Sequence, residues 1–163
     1  EELRYQRLRQ TFDIMKYSID DESIDKISHD YIEFLPDNNQ LFDGAIELLE
    51  YLYPKYKLHI ITNGFAHVQS RKMYHSGLEK YFQTVTNSEM AGVKKPHRNI
   101  FEFALSLANT KKENSIMIGD CIDADFNGAI EFGMRAILFD EKNMHKETTY
   151  ERVSHLLEIK KIL

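Results

Sequence analysis

Ser115-Ile116-Met117-Ile118-Gly119-Asp120-Cys121-Ile122-Asp123-Ala124-Asp125 is the stretch on which the fold turns. Its opening apolar run has the length of one strand, and Gly119 with Asp120 ends it. Residues 125–132 then follow with helical spacing, and Gly133 stands in the capping place. Asp120, Asp123 and Asp125 therefore crowd the carboxyl end of a strand. Carboxylates so placed repel one another unless a proton or cation neutralises them, and a hard divalent ion is the natural partner. A helix dipole alone would account for Asp123 or Asp125, but Asp120 belongs to the loop and needs another reason.

The same strand-then-helix rhythm recurs on both sides. Residues 57–62 read as a strand followed by a helix over 66–76, with Gly77 as its cap. Residues 83–86 read as a strand leading through Gly92, Lys95 and Pro96 into a helix over 99–108. Residues 135–139 form a fourth strand, and 150–153 a short edge strand before a helix with Ser154 as N-cap. Single helices between strands imply parallel pairing through right-handed crossovers, hence a three-layer, Rossmann-like α/β sheet with helices on both faces. The start of the chain differs, because residues 2–18 and 22–35 read as helices with no strand between them. A turn cluster at Pro36, Asp37, Asn38 and Asn39 separates them from a third helix over 44–53, stopped before Pro54. The expected division is a small, partial helical cap over residues 1–40 and an α/β core over 41–163.

The 163 residues are 42% hydrophobic and 29% charged, an ordinary globular balance. A net charge of −5 with scattered lysines and arginines argues against nucleic acid as the main ligand. No apolar run approaches the ~20 residues of a membrane span. Cys121 is the single cysteine and cannot form an intramolecular disulfide, so a cytoplasmic location is expected.

In parallel sheets of this kind ligands sit at the carboxyl ends of the strands, which directs attention to three places. At the first, the Thr62 hydroxyl and the amides of Asn63 and Gly64 can donate to an anion. At the second, Lys95 precedes Pro96, which biases it towards an extended backbone; its place before Pro96 favours it over Lys94. The third is the aspartate cluster. Taken singly, a strand-end threonine is explained by β-propensity and a lysine beside a proline is ordinary surface. Together, one β-α unit apart, they form a set suited to phosphate and a metal ion. Cys121, His67, His97 and His145 are not set at metal-ligand spacing in the sequence and read as packing or surface residues.

The runs Ile-Ile-Thr-Asn-Gly at 60–64, Lys-Pro at 95–96 and Met-Ile-Gly-Asp-Cys-Ile-Asp-Ala-Asp-Phe-Asn-Gly-Ala at 117–129 resemble the second, third and fourth motifs of the haloacid dehalogenase superfamily. The leading helices resemble part of its helical cap. The resemblance implies a Mg²⁺-dependent phosphomonoester hydrolase acting on a small phosphorylated metabolite, with the nucleotide 5′-monophosphatase-like branch most similar. It implies that Thr62, Asn63 and Gly64 bind the phosphoryl group, that Lys95 neutralises phosphate and nucleophile, and that Asp120 and Asp125 serve the metal. The superfamily's first motif, D-x-D-x-[TV], supplies a nucleophilic aspartate for an aspartyl-phosphate intermediate, and these residues do not contain it. Asp123-Ala124-Asp125 belongs to the fourth motif, and Ala45 stands where Asp43 would need a second carboxylate. The chain starts at Glu1 rather than at methionine, and either a preceding segment bearing that motif or another polypeptide segment is expected to fill its place. In the superfamily the strand of the first motif lies between those ending at Thr62 and Ile118. Without it these two stand about 9.6 Å apart, twice the usual spacing, and the chain alone is expected to be inactive and prone to associate through open strand edges. Two alternatives stay open: a metal-independent 2-haloacid dehalogenase, against which Asp120 and Asp125 speak, and a non-catalytic binding remnant.

Overall fold

The computed structural model describes residues 2–37, 39–146 and 149–163. Asn38 of the expected turn therefore lies outside the described residues, as does Glu1. Helices α1 (Glu2–Ile14) and α2 (Asp21–Phe34) form an antiparallel pair. Asp20 caps α2 by accepting the Ser23 amide at 2.8 Å, the usual way an N-terminal donor is satisfied. The first helix ends at Ile14, short of the expected Ser18, and buries none of its residues. Arg71 ties the pair to the rest of the chain through an ion pair with Glu33.

The α/β part runs α3 (Ala45–Leu52), β1 (Leu58–Thr62), α4 (Ala66–His75), β2 (Phe82–Asn87), the short α5 (Ser88–Ala91), α6 (Arg98–Leu107), β3 (Ile116–Gly119), α7 (Gly128–Phe132), β4 (Arg135–Phe139) and β5 (Arg152–Val153). All strand pairs are parallel, as the alternation of strands and helices predicts. They form two ladders, β1–β2 and β3–β4–β5, and among the described residues none joins β1 to β3. The sheet is therefore divided between those two strands, where the resemblance places the strand of the first motif.

Successive residues of a strand point to opposite faces, and β4 shows the consequence. Ala136 and Leu138 enter a core with Ile100 and Phe101 of α6 and with Phe126, Ala129 and Phe132. Ile137 and Phe139 enter another with Leu48 and Leu52 of α3, Val153 and Ile159. Helical layers thus cover both faces. Ile61 packs on the first core and Leu58 on the second, together with Met117, Ile116 and Ile118 of β3, so the two ladders share their hydrophobic layers without a shared hydrogen-bond row.

Two further helices differ from expectation. Over 122–127 the chain takes a π-helical turn before α7, because the amides of Asp125 and Phe126 both donate to the Cys121 carbonyl, at 2.9 and 3.1 Å. The C-terminal segment is a 3₁₀ helix, Leu156–Lys161, capped by His155 rather than Ser154; the His155 ring accepts the Leu157 amide at 3.2 Å. The Ser154 amide is taken instead by the Glu158 carboxylate.

Candidate active site

Thr62 closes β1, and the residues after it turn away from the sheet. Its Oγ1 accepts the Gly64 amide at 3.0 Å. That contact uses the Gly64 donor the sequence offered to an anion, while a hydroxyl that accepts in this way keeps its own proton to donate. The Asn63 side chain also does something the sequence did not reveal. Its Nδ2 donates to the Lys95 carbonyl at 3.1 Å and its Oδ1 accepts the Lys95 amide at 2.7 Å.

Lys95 enters on the loop between α5 and α6, and its ammonium reaches back to the strand. Nζ donates to the Ile61 carbonyl at 2.8 Å and lies 2.5 Å from Asp125 Oδ1. Both side chains are sheltered, 10% and 6% exposed. Lys94, the neighbour in the ambiguous pair, is exposed. The Ile61 carbonyl belongs to the edge of β1 and Asp125 to the turn after β3, so the lysine spans the place where the two ladders fail to meet.

The third strand end is built by close approach. A Cβ on Gly119 would overlap the Asp125 carboxylate, so only glycine lets that side chain fold back onto the strand. Gly128 plays a similar part, since a Cβ there would press on Pro96 of the lysine loop. Asp125 Oδ2 accepts the Cys121 amide at 3.2 Å. Its Oδ1 is buried with no hydrogen bond of good geometry, although Lys95 Nζ is close enough for a strong ion pair. Asp120, Asp123 and Cys121 are exposed. Among the described residues no three His, Cys, Asp or Glu side chains gather as a metal cage. Magnesium asks for less, one or two carboxylates completed by water and substrate oxygens, and the buried oxygen of Asp125 has bonding capacity to spare.

The turn after β2 supports the turn after β1. Buried Asn87 accepts the amides of Glu89 and Met90, at 3.0 and 2.9 Å. The Ser88 hydroxyl donates to the Asn63 carbonyl at 3.3 Å, and Glu89 accepts the Ala66 amide at 2.8 Å, capping α4 from outside. The Asn87-Ser88-Glu89 run is a recognisable helix-start signal; what it holds could not be read from it. Asp140, at the end of β4, has a local role. Burial pushes its carboxyl up, but the His145 and Met144 amides and the charges of His145 and Arg152 outweigh this and hold it below the ordinary range. His97 accepts the Asn99 amide, and His67 stacks on Phe65.

A parallel α/β fold in which Lys95 meets Asp125 between the carboxyl ends of β1 and β3 defines a class, and comparison places the chain within it. The profile of the haloacid dehalogenase-like hydrolases matches residues 1–139, and the chain belongs to that family. The HAD-hydrolase YfnB of Bacillus subtilis, solved bound to magnesium, superposes with a TM-score of 0.87 at 28% identity, covering 99% of this chain and 71% of that one. The pyrimidine 5′-nucleotidase YjjG of Escherichia coli is 34% identical over 110 residues, 67% of this chain and 49% of its own. The glyceraldehyde 3-phosphate phosphatase of Methanothermobacter thermautotrophicus is 35% identical over 115 residues, 64% of this chain and 51% of its own. The chain thus spans about half the length of such curated relatives. No described helix is long and apolar enough to cross a membrane.

Proposed function

We propose that the protein carrying these residues is a Mg²⁺-dependent phosphomonoester hydrolase acting on a small phosphorylated metabolite, a nucleoside monophosphate being the preferred class. The observation that carries the reading is the sheltered ammonium of Lys95, held between the Ile61 carbonyl and Asp125 at the strand ends. A fixed cation there offsets the charge of a bound phosphate and of a carboxylate approaching it, and in a water-poor site it acts without reorganising. The Thr62 hydroxyl, turned by the Gly64 amide that it accepts, donates its proton to a phosphoryl oxygen. Asp120 and Asp125 would hold magnesium, which supplies charge neutralisation on the transferring group. The nucleophile of an aspartyl-phosphate pathway would belong, as the family resemblance implies, to a first motif that these residues do not contain.

In the same reading residues 1–40 are part of a cap that closes over the site and excludes water, and 41–163 are the core. Phe65 supports the nucleotide preference: it is 49% exposed, stacks with His67 and follows directly on the Asn63 and Gly64 turn, offering a flat face to a base. A cytoplasmic location accords with a fold that needs no disulfide. The test is an assay of the full-length protein against nucleoside monophosphates, glyceraldehyde 3-phosphate and 2-haloacids, with Mg²⁺ and with chelator. Phosphate release that needs Mg²⁺ and is lost in Asp120→Asn is expected. Halide release without metal, or turnover that survives Asp120→Asn unchanged, would replace the reading.

A further inference from the structure

We propose that Asn63 is a positioning residue, a two-point clasp on the Lys95 backbone that sets where the lysine ammonium stands. The inference rests on the phosphatase reading only for what Lys95 does; the clasp itself is geometry. Asn63 and Lys95 are 32 positions apart, and one carboxamide satisfies both the amide and the carbonyl of the lysine. Only one orientation of that carboxamide meets both demands, because its oxygen must face the amide and its nitrogen the carbonyl. The lysine backbone is thereby tied to the end of β1, and from there its side chain reaches the Ile61 carbonyl on the same strand and Asp125 across the divide.

The clasp is itself held. The Ser88 hydroxyl donates to the Asn63 carbonyl and Glu89 accepts the Ala66 amide, so the turn after β2 braces the turn that carries Asn63. Three strand-end turns are linked in series, with Asn63 in the middle. Lys95 lies in no strand, and its neighbours Lys94 and Pro96 are exposed, so strand pairing does not align it. Without Asn63 the ammonium would keep its contacts to the Ile61 carbonyl and Asp125 but lose the backbone anchor from which its flexible stem starts.

The test uses the full-length protein carrying nitrogen-15 lysine. The parent should show a Lys95 ammonium signal with slowed proton exchange, assigned by its loss in Lys95→Arg. Asn63→Ala should send that signal into fast exchange. It should also lower kcat on a phosphomonoester by about 10- to 100-fold with KM within about threefold, the scale of a group misplaced by about an ångström. Asn63→Asp keeps an acceptor for the Lys95 amide but sets an oxygen against the Lys95 carbonyl, and should fall between. Ser88→Ala should give a weaker form of the same change. The clasp is overturned if the parent shows no slow Lys95 signal, or if Asn63→Ala keeps both the signal and kcat. A rise in KM at constant kcat also overturns it, as the mark of a side chain that binds substrate itself. Should Asn63→Ala fail to fold, Asn63→Asp and Ser88→Ala are read by the same criteria. A parent without phosphatase activity whose Lys95 signal still depends on Asn63 removes the phosphatase reading and leaves the clasp.

Discussion

β4 and the two strands at the divide, β1 and β3, are built from similar residues and end in different surroundings. Arg-Ala-Ile-Leu-Phe of β4 has a strand on each side, and Ala136, Ile137, Leu138 and Phe139 are all buried. Leu-His-Ile-Ile-Thr of β1 and Ile-Met-Ile-Gly of β3 each pair with one strand, and every residue of both is only half-buried. An apolar run records what a strand can bury when flanked; whether it is flanked depends on segments distant in sequence. At the open side of β1 the backbone still needs partners. Lys95 satisfies one backbone acceptor of β1, its ammonium donating to the Ile61 carbonyl. The same group meets Asp125, so one side chain serves both backbone satisfaction and the candidate chemistry.

If the lysine bridge is what steadies the divide, breaking it should have the largest effect. Asp125→Ala leaves a sheltered ammonium without its carboxylate, and loss of one partner of a buried pair costs about 3–5 kcal/mol. Urea unfolding of parent and variant measures this; a loss below about 1 kcal/mol would show that the pair behaves like an exposed one. The contrast between strands can be broken directly. Ile137→Ala, inside β4, should cost about 2–5 kcal/mol, whereas Ile118→Ala in half-buried β3 should cost roughly half as much, in proportion to the area withdrawn from water. Equal losses would mean that β3 is covered as fully as β4 in the folded protein.

The smallest effect concerns His59, paired across the β1–β2 ladder with Thr84 at 2.7 Å. Burial, and then the charge of Lys57, hold its imidazole below the ordinary value of 6.5. A depressed folded-state value favours the neutral ring. Its contribution is therefore whole above about pH 6.5 and is lost as the pH falls through the folded value. His59→Gln should flatten that part of the pH–stability curve slightly and leave the curve above pH 7 parallel to the parent's. An unchanged acid limb in the variant would locate the dependence elsewhere.

The order of strands and helices and their parallel sense were legible in the sequence, because each is written in local pattern, apolar runs of strand length and glycines at the caps; the candidate groups Thr62, Lys95 and Asp120 were picked out by their place at or after strand ends. The extra turn of chain at 122–127 was not, since it follows from two amides competing for the Cys121 carbonyl. Nor was the role of Asn63, which looked like a donor of backbone amides and proves to hold Lys95 with its side chain. The separate surroundings of the aspartates were only partly legible: the sequence set loop Asp120 apart from Asp123 and Asp125 but not those two from each other, and a glycine at 119 lets Asp125 fold inward while Asp120 and Asp123 stay exposed. Sequence by itself determined which chemical groups stand at the ends of which strands. Only the tertiary structure decided which of them touch, because hydrogen bonds across 30 or more positions depend on close packing that no local pattern encodes.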